Sequence, residues 1–183
     1  MGMIKKRLTA LVMGFALAGA VAVAAPPGPG RQNNDIATMK QIRKKLVTLP
    51  FYGVFDNLAY SMEGGTVTLY GQVVRPSTRK DAERRVEKIE GVERVINDIE
   101  VLPLSPFDDR IRVRAFRAIS RAGSLFRYFQ GANPSIHIVV NRGHLTLEGV
   151  VSNRADSRLA NIAARQVPDA FSVTNNLRVE RED

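Results

Sequence analysis

The chain has 183 residues, 27 Lys and Arg against 18 Asp and Glu, a formal net charge of +9, and no Cys or Trp. With 44% hydrophobic and 25% charged residues the composition is that of an ordinary globular protein. It excludes a disulfide framework, a thiolate metal site, a Cys nucleophile and an acylated Cys anchor. Only two His are present, which leaves little for a His-based metal cage or for acid/base catalysis near neutral pH.

Lys5, Lys6 and Arg7 precede an uncharged, largely apolar run from Leu8 to Ala25, with Ala22-Val23-Ala24 at its end. A basic start, an apolar middle and an Ala-x-Ala finish predict a secretory signal peptide over residues 1–24, cleaved after Ala24. An uncleaved anchor is the alternative, since the run lies near the lower limit for spanning a bilayer. Cleavage removes three of the 27 basic residues and none of the 18 acids, leaving a net +6. The expected location is the periplasm, where nucleic acid is not an expected partner despite the basic balance.

Residues 25–34, rich in Pro, Gly and Asn and without apolar period, read as a flexible linker. An opening helix follows over 36–46, then alternating strands through Leu58, Tyr60 and Met62 and through Val67, Leu69 and Val73, joined at Gly64-Gly65. Thr78 to Ile89 reads as a helix with Ala82, Val86 and Ile89 on one face and an Asp81–Arg85 pair on another. Gly91 marks its stop, and Val95, Asn97, Ile99 and Val101 alternate as a third strand. The order αββαβ then repeats: residues 65–101 align with 143–179 at a constant offset of 78, nine of 37 positions being identical. Roughly two identities would arise from average composition. The second copy opens with a helix over 110–122, whose apolar stripe is Ile111, Ala115, Ile119 and Ala122.

The expected fold is α+β: two αββαβ modules, each a small three-stranded mixed sheet with two helices on one face. The expected boundaries are 35–101 for the first module, 102–108 for a short Pro-containing linker and 109–179 for the second. Gly71 and Gly149, at equivalent inward-facing strand positions, read as sites of close helix–sheet approach or of a bulge.

The G-x-V-x-L-x-G-x-V strand from Gly65 to Val73, Ala82 near the start of the following helix, and the G-V-x-x-V-x-N-x-I-x-V run from Gly91 to Val101 resemble the BON domain. The second copy departs from that pattern at Asp169-Ala170, where the family has Gly-Val, and Pro168 before them suggests an altered turn. The whole is similar to exported, osmotically inducible periplasmic proteins that carry two such domains. The resemblance implies a non-catalytic envelope module that binds phospholipid or other macromolecules.

Charge is unevenly shared. Residues 35–101 hold 11 basic and 10 acidic residues, whereas 109–179 hold 11 Arg and only 4 acids. Arg110, Arg114, Arg117 and Arg121 fall at i, i+4, i+7 and i+11, which puts four guanidinium groups on one helical face. Arg pairs its planar fork with phosphate, so the stripe suits lipid headgroups or another acidic polymer. Phe126 and Tyr128 follow closely and are candidates for an apolar wedge at an interface. The solvated-helix reading of the stripe and the core reading of these aromatics stand beside that one.

His137 and His144 sit on neighbouring hairpin strands, two ligands of an incomplete metal site at most, so no metal and no cofactor are expected. Asn97 and Asn175 are expected to satisfy backbone groups. No nucleophile elbow, HExxH, P-loop or dinucleotide fingerprint occurs, so an enzyme is not expected. The expected partners are anionic phospholipid or, alternatively, envelope proteins bound by a periplasmic chaperone or scaffold.

Overall fold

The computed structural model describes residues 29–180. The expected signal peptide and the start of the expected linker lie outside the described residues. The first unit runs α1 (Pro29–Val47), β1 (Asn57–Glu63), β2 (Thr66–Val73), α2 (Pro76–Val86) and β3 (Arg94–Val101). The second runs α3 (Pro106–Ser120), a 3₁₀ turn (Leu125–Phe129), β4 (Ile136–Asn141), β5 (His144–Val151), α4 (Arg154–Arg165), β6 (Ser172–Asn175) and β7 (Arg178–Val179). In each, a hairpin pairs antiparallel and the helix after it returns the chain to a parallel third strand. The third strand of the second unit is interrupted after Asn175 and resumes as β7 against the far end of β5.

Each unit has its own core. In the first, Ile42 and Leu46 of α1, Ala82 and Val86 of α2, Val67, Leu69 and Val73 of β2, and Ile99 of β3 close on one another. In the second, Ile111, Ala115 and Ile119 of α3 meet Ala160, Ala163 and Ala164 of α4 over Ile138, Val140, Leu145 and Leu147. Helices therefore cover one face of each sheet, as the apolar periods of 3.6 and 2 require.

Local details depart from the sequence expectations in instructive ways. α1 begins at Pro29, inside the stretch read as linker, because Pro is pre-set for a first helical turn. α2 likewise begins at Pro76, two residues before the expected start. The expected Asp81–Arg85 pair is replaced by Asp81–Arg84, because the Arg85 guanidinium reaches the Thr48 carbonyl instead, 3.2 Å away. Asp169 stands where the first unit has Gly91, and both adopt positive φ, 72° and 88°. The turn is thus retained despite the substitution, since a short Asp side chain tolerates the left-handed region.

Asn97 and Asn175 fasten the third strand to the helix behind it. Each side-chain oxygen accepts the N–H two residues on, from Ile99 and Leu177, while Nδ2 donates to the carbonyls of Arg79 and Ser157 at 3.2 Å.

The two units are packed together. The segment Tyr52–Phe55 of the first lies along the outer edge of β4, where Ile138 N–H donates to the Val54 carbonyl at 2.7 Å. Val54 and Phe55 enter the core of the second unit, Phe55 standing edge-on to Phe116 of α3 at 6.5 Å between centroids. The loop is closed by Asp56, 4% exposed, whose carboxylate accepts from Gly53 N–H at 3.0 Å and Val74 N–H at 2.7 Å. Burial pushes the Asp56 carboxyl above its ordinary range, against the pull of those two N–H donors. Consequently β4 is buried on both faces from Ile136 to Val140.

Gly71 and Gly149 serve neither helix approach nor a bulge. They have φ of 113° and 117°, and a Cβ there would stand 2.1 Å from the Asn57 carbonyl oxygen and 2.0 Å from that of Ser135. The close neighbour is the backbone of the antiparallel strand: Gly71 pairs with Leu58 within an unbroken register, and Gly149 pairs with Ile136 at the start of β4, where Val150 N–H donates to the Ser135 carbonyl at 2.9 Å. Gly71→Ala or Gly149→Ala therefore combines a forbidden conformation with a backbone clash, a destabilisation of about 3 kcal/mol or more. Urea unfolding is expected to show the loss as a lowered midpoint at unchanged slope.

Candidate functional site

α3 is built to hold one face outward. Ser105 caps it, its Oγ accepting Asp108 N–H at 3.1 Å, and Pro106 occupies the first turn. Asp108 and Asp109 in that turn suit the positive end of the helix dipole. Asp108 is also buried, and accepts the N–H groups of Arg142 and Gly143 at 2.9 and 2.8 Å, which ties the helix start to the β4–β5 turn. With Ile111, Ala115 and Ile119 wholly buried, the opposite side must face water.

That side carries Arg110, Arg114, Arg117 and Arg121, all exposed. Their spacing confines them to a stripe about 60° wide. Arg114 is paired with the Asp169 carboxylate across from the turn before β6, so part of its charge is spent within the protein. Arg110 lies over the Phe107 ring, 5.7 Å from its centroid. Val113, 40% exposed, sits beside the stripe.

A fifth arginine of this helix, Arg112, is 2% exposed. Its guanidinium donates to the Val140 carbonyl at 2.6 Å and to Asp109 at 2.5 Å, so it holds α3 on β4 and is not presented to a partner. Sequence spacing separates it correctly from the stripe but gives no sign that it is buried.

The aromatic residues expected beside the stripe divide. Phe126 is 57% exposed. Tyr128 is 7% exposed and is corrected here from interface to core. Its hydroxyl donates to Asp156 Oδ2 at 2.6 Å and accepts from Ser152 N–H at 3.0 Å, linking the 3₁₀ turn to the start of α4. The exposed aromatic next to the arginines is one the sequence reading missed. Phe171, 70% exposed, stacks on Phe107 at 5.6 Å, directly over the β4–β5 turn. Its signal was available only in the fold, since Phe171 lies about sixty residues from the stripe in sequence.

The two histidines are not brought together. His137 is buried against the first unit, whereas His144 is exposed, at the other end of the hairpin, bonded to Ser172 Oγ at 2.7 Å. Among the described residues no three His, Cys, Asp or Glu side chains are grouped so as to hold a metal ion.

The BON domain family model matches residues 40–103 and 108–181. The chain belongs to the BON domain family. Both αββαβ units are BON domains, and BON domains are non-catalytic binding modules. No curated protein matches the chain. Among solved structures it is similar, at 10% identity and a TM-score of 0.32, to CdsD, a structural protein of the type III secretion system of Chlamydia trachomatis, over 80% of this chain and 94% of that one. The C-terminal domain of CdsD is similar at 10% identity and a TM-score of 0.29, over 80% and 98%.

The Tyr128 assignment is testable. Tyr128→Phe removes the hydroxyl's three hydrogen bonds, to Asp156 and from Ser152 and Arg127, and takes one donor from the buried Asp156 carboxylate, which costs about 1–3 kcal/mol of stability. Thermal unfolding is expected to fall accordingly, while any surface binding by the second BON domain is unchanged.

Proposed function

We propose that this tandem BON protein is exported to the periplasm and attaches peripherally to anionic phospholipid, with the second BON domain as the contact. The observation that carries the reading is the exposed stripe of Arg110, Arg114, Arg117 and Arg121 on a helix whose other face is core. Guanidinium groups bind phosphate through paired N–H donors. Near an anionic membrane each contributes about 1 kcal/mol, so Arg110, Arg117 and Arg121 together supply about 3 kcal/mol, roughly two powers of ten in affinity. Arg114 adds less, because it must first leave Asp169.

Electrostatic capture is followed by shallow insertion of apolar side chains. Phe171 and Val113 stand next to the arginines, and Leu104, 93% exposed, lies in the segment leading into α3. Phe126 follows the other end of the helix. Export is supported by the basic-apolar-Ala-x-Ala start of the sequence. No helix among the described residues is long and apolar enough to cross a membrane.

The test is co-sedimentation with zwitterionic and anionic vesicles at low and physiological salt. Binding to anionic vesicles alone, weakened by salt and abolished when Arg110, Arg114, Arg117 and Arg121 become Gln, is expected. Phe171→Ser is expected to weaken binding several-fold while preserving its salt dependence. Absence of binding to either vesicle overturns the lipid reading. A chaperone or scaffold acting through the open face of the first sheet, where Tyr70 is 45% exposed, then takes its place.

A further inference from the structure

The contact between the two BON domains has a titratable ring at its centre. His137, 7% exposed, lies against the loop of the first domain, with Nδ1 3.3 Å from the Gly53 carbonyl and Nε2 3.5 Å from the Tyr52 hydroxyl. A carbonyl only accepts, so the neutral ring carries its proton on Nδ1, and Nε2 is left to accept from the Tyr52 O–H. The two rings lie 5.5 Å apart. The same loop supplies the Val54 carbonyl to β4 and the Val54 and Phe55 side chains to the second core. We propose that His137 is an acid-sensitive clasp: neutral, it holds the Tyr52–Asp56 loop on β4; protonated, it frees the two domains from each other.

Three features carry this. First, burial disfavours the imidazolium, and it lowers the His137 pKa below 6.5 even though the nearby Gly53, Asp56 and Pro134 backbone acceptors pull the other way. Second, protonation puts a hydrogen on Nε2 facing the Tyr52 hydroxyl hydrogen, so that bond is lost unless the hydroxyl turns. Burial also holds the Tyr52 phenol up at about 12, so the tyrosine stays neutral and cannot offer a counter-charge. Third, the surrounding charges offset one another. Glu148 lies opposite His137 in the hairpin register, and the cleft beside the ring holds Arg43, Arg178 and Glu180. Deeper in, the Asp56 carboxylate faces the field of Arg112. Among the described residues the ring is hydrogen-bonded to the Gly53 carbonyl and the Tyr52 hydroxyl and to no carboxylate.

The sign follows from linkage. The ring binds its proton more weakly when docked than when free, so docking is strongest above the free value of 6.5 and is lost as pH falls below it. Each unit of depression weakens docking about tenfold at the acid limit. Asp56 acts oppositely: its raised carboxyl gains a proton only at lower pH, and the docked state then benefits. Release therefore belongs to the window between 6.5 and the carboxylate range, and it uncovers Val54, Phe55 and the edge of β4 together.

The chain lacks Cys, so Ser61→Cys on the first domain and Ser124→Cys on the second allow spin labels at two exposed positions outside the contact. Distances between them are to be read at about pH 7.5 and about pH 5.5, with the His137 ring followed by NMR in the unlabelled chain. The expected result is a narrow distribution that broadens reversibly at the lower pH. His137→Gln is expected to make the distribution insensitive to pH, and His144→Gln to leave the response intact. A ring midpoint at or above 6.5, an unchanged distribution in the parent chain, or the same pH response in His137→Gln overturns the proposal.

Discussion

The arrangement of this molecule depends on one buried carboxylate. Asp56 accepts the Gly53 N–H of its own loop and the Val74 N–H just after β2, and so fixes the four residues Tyr52–Phe55 in a shape that reaches the neighbouring domain. From that fixed loop come a backbone acceptor for β4, two apolar side chains for the second core and the tyrosine that meets His137. A carboxylate hidden from water is tolerable only when its lone pairs are filled, and here the filling is what shapes the loop. The second domain thus presents α3 on a sheet already steadied by its neighbour.

The duplication has drifted in a way that assigns the two copies different work. Phe129 packs edge-on to Phe116 at 5.3 Å, whereas its counterpart Phe51 is 67% exposed at a φ of 66°, with Arg75 over its ring. The first copy uses the residues after Phe51 to clasp its partner, while the second tucks the corresponding turn into its own core. Charge has diverged with it: the first copy is nearly balanced, and the second has kept eleven Arg while holding only four acids between 109 and 179. One repeated unit has thus given a copy that supplies the interdomain loop and a copy that carries the excess of arginine.

The repeat, the αββαβ order and the core faces of the helices were readable in sequence, because they rest on local periods and on an offset that needs no gap. The stripe was readable too, since four arginines at helical spacing must share a side. What escaped was non-local. Arg112 differs from its neighbours only in facing β4, and Tyr128 differs from Phe126 only in which way a 3₁₀ turn points it. Neither hydropathy nor spacing distinguishes such pairs. The meeting of Phe171 with Phe107 likewise depends on the β6 turn returning beside α3. Gly71 and Gly149 were noticed as unusual, but alternation alone does not say which neighbour comes close; the register with β1 and β4 does.

The placement of Val54 and Phe55 also bears on how the edge of β4 stays covered. Because these side chains belong to the core of the second domain although they are encoded in the first, the second domain by itself lacks part of its interior and has an open strand edge. Open edges invite pairing with foreign strands. The loop that covers this edge precedes β4 on the same chain, so the cover is always present at the concentration set by the tether and not by encounter with another molecule.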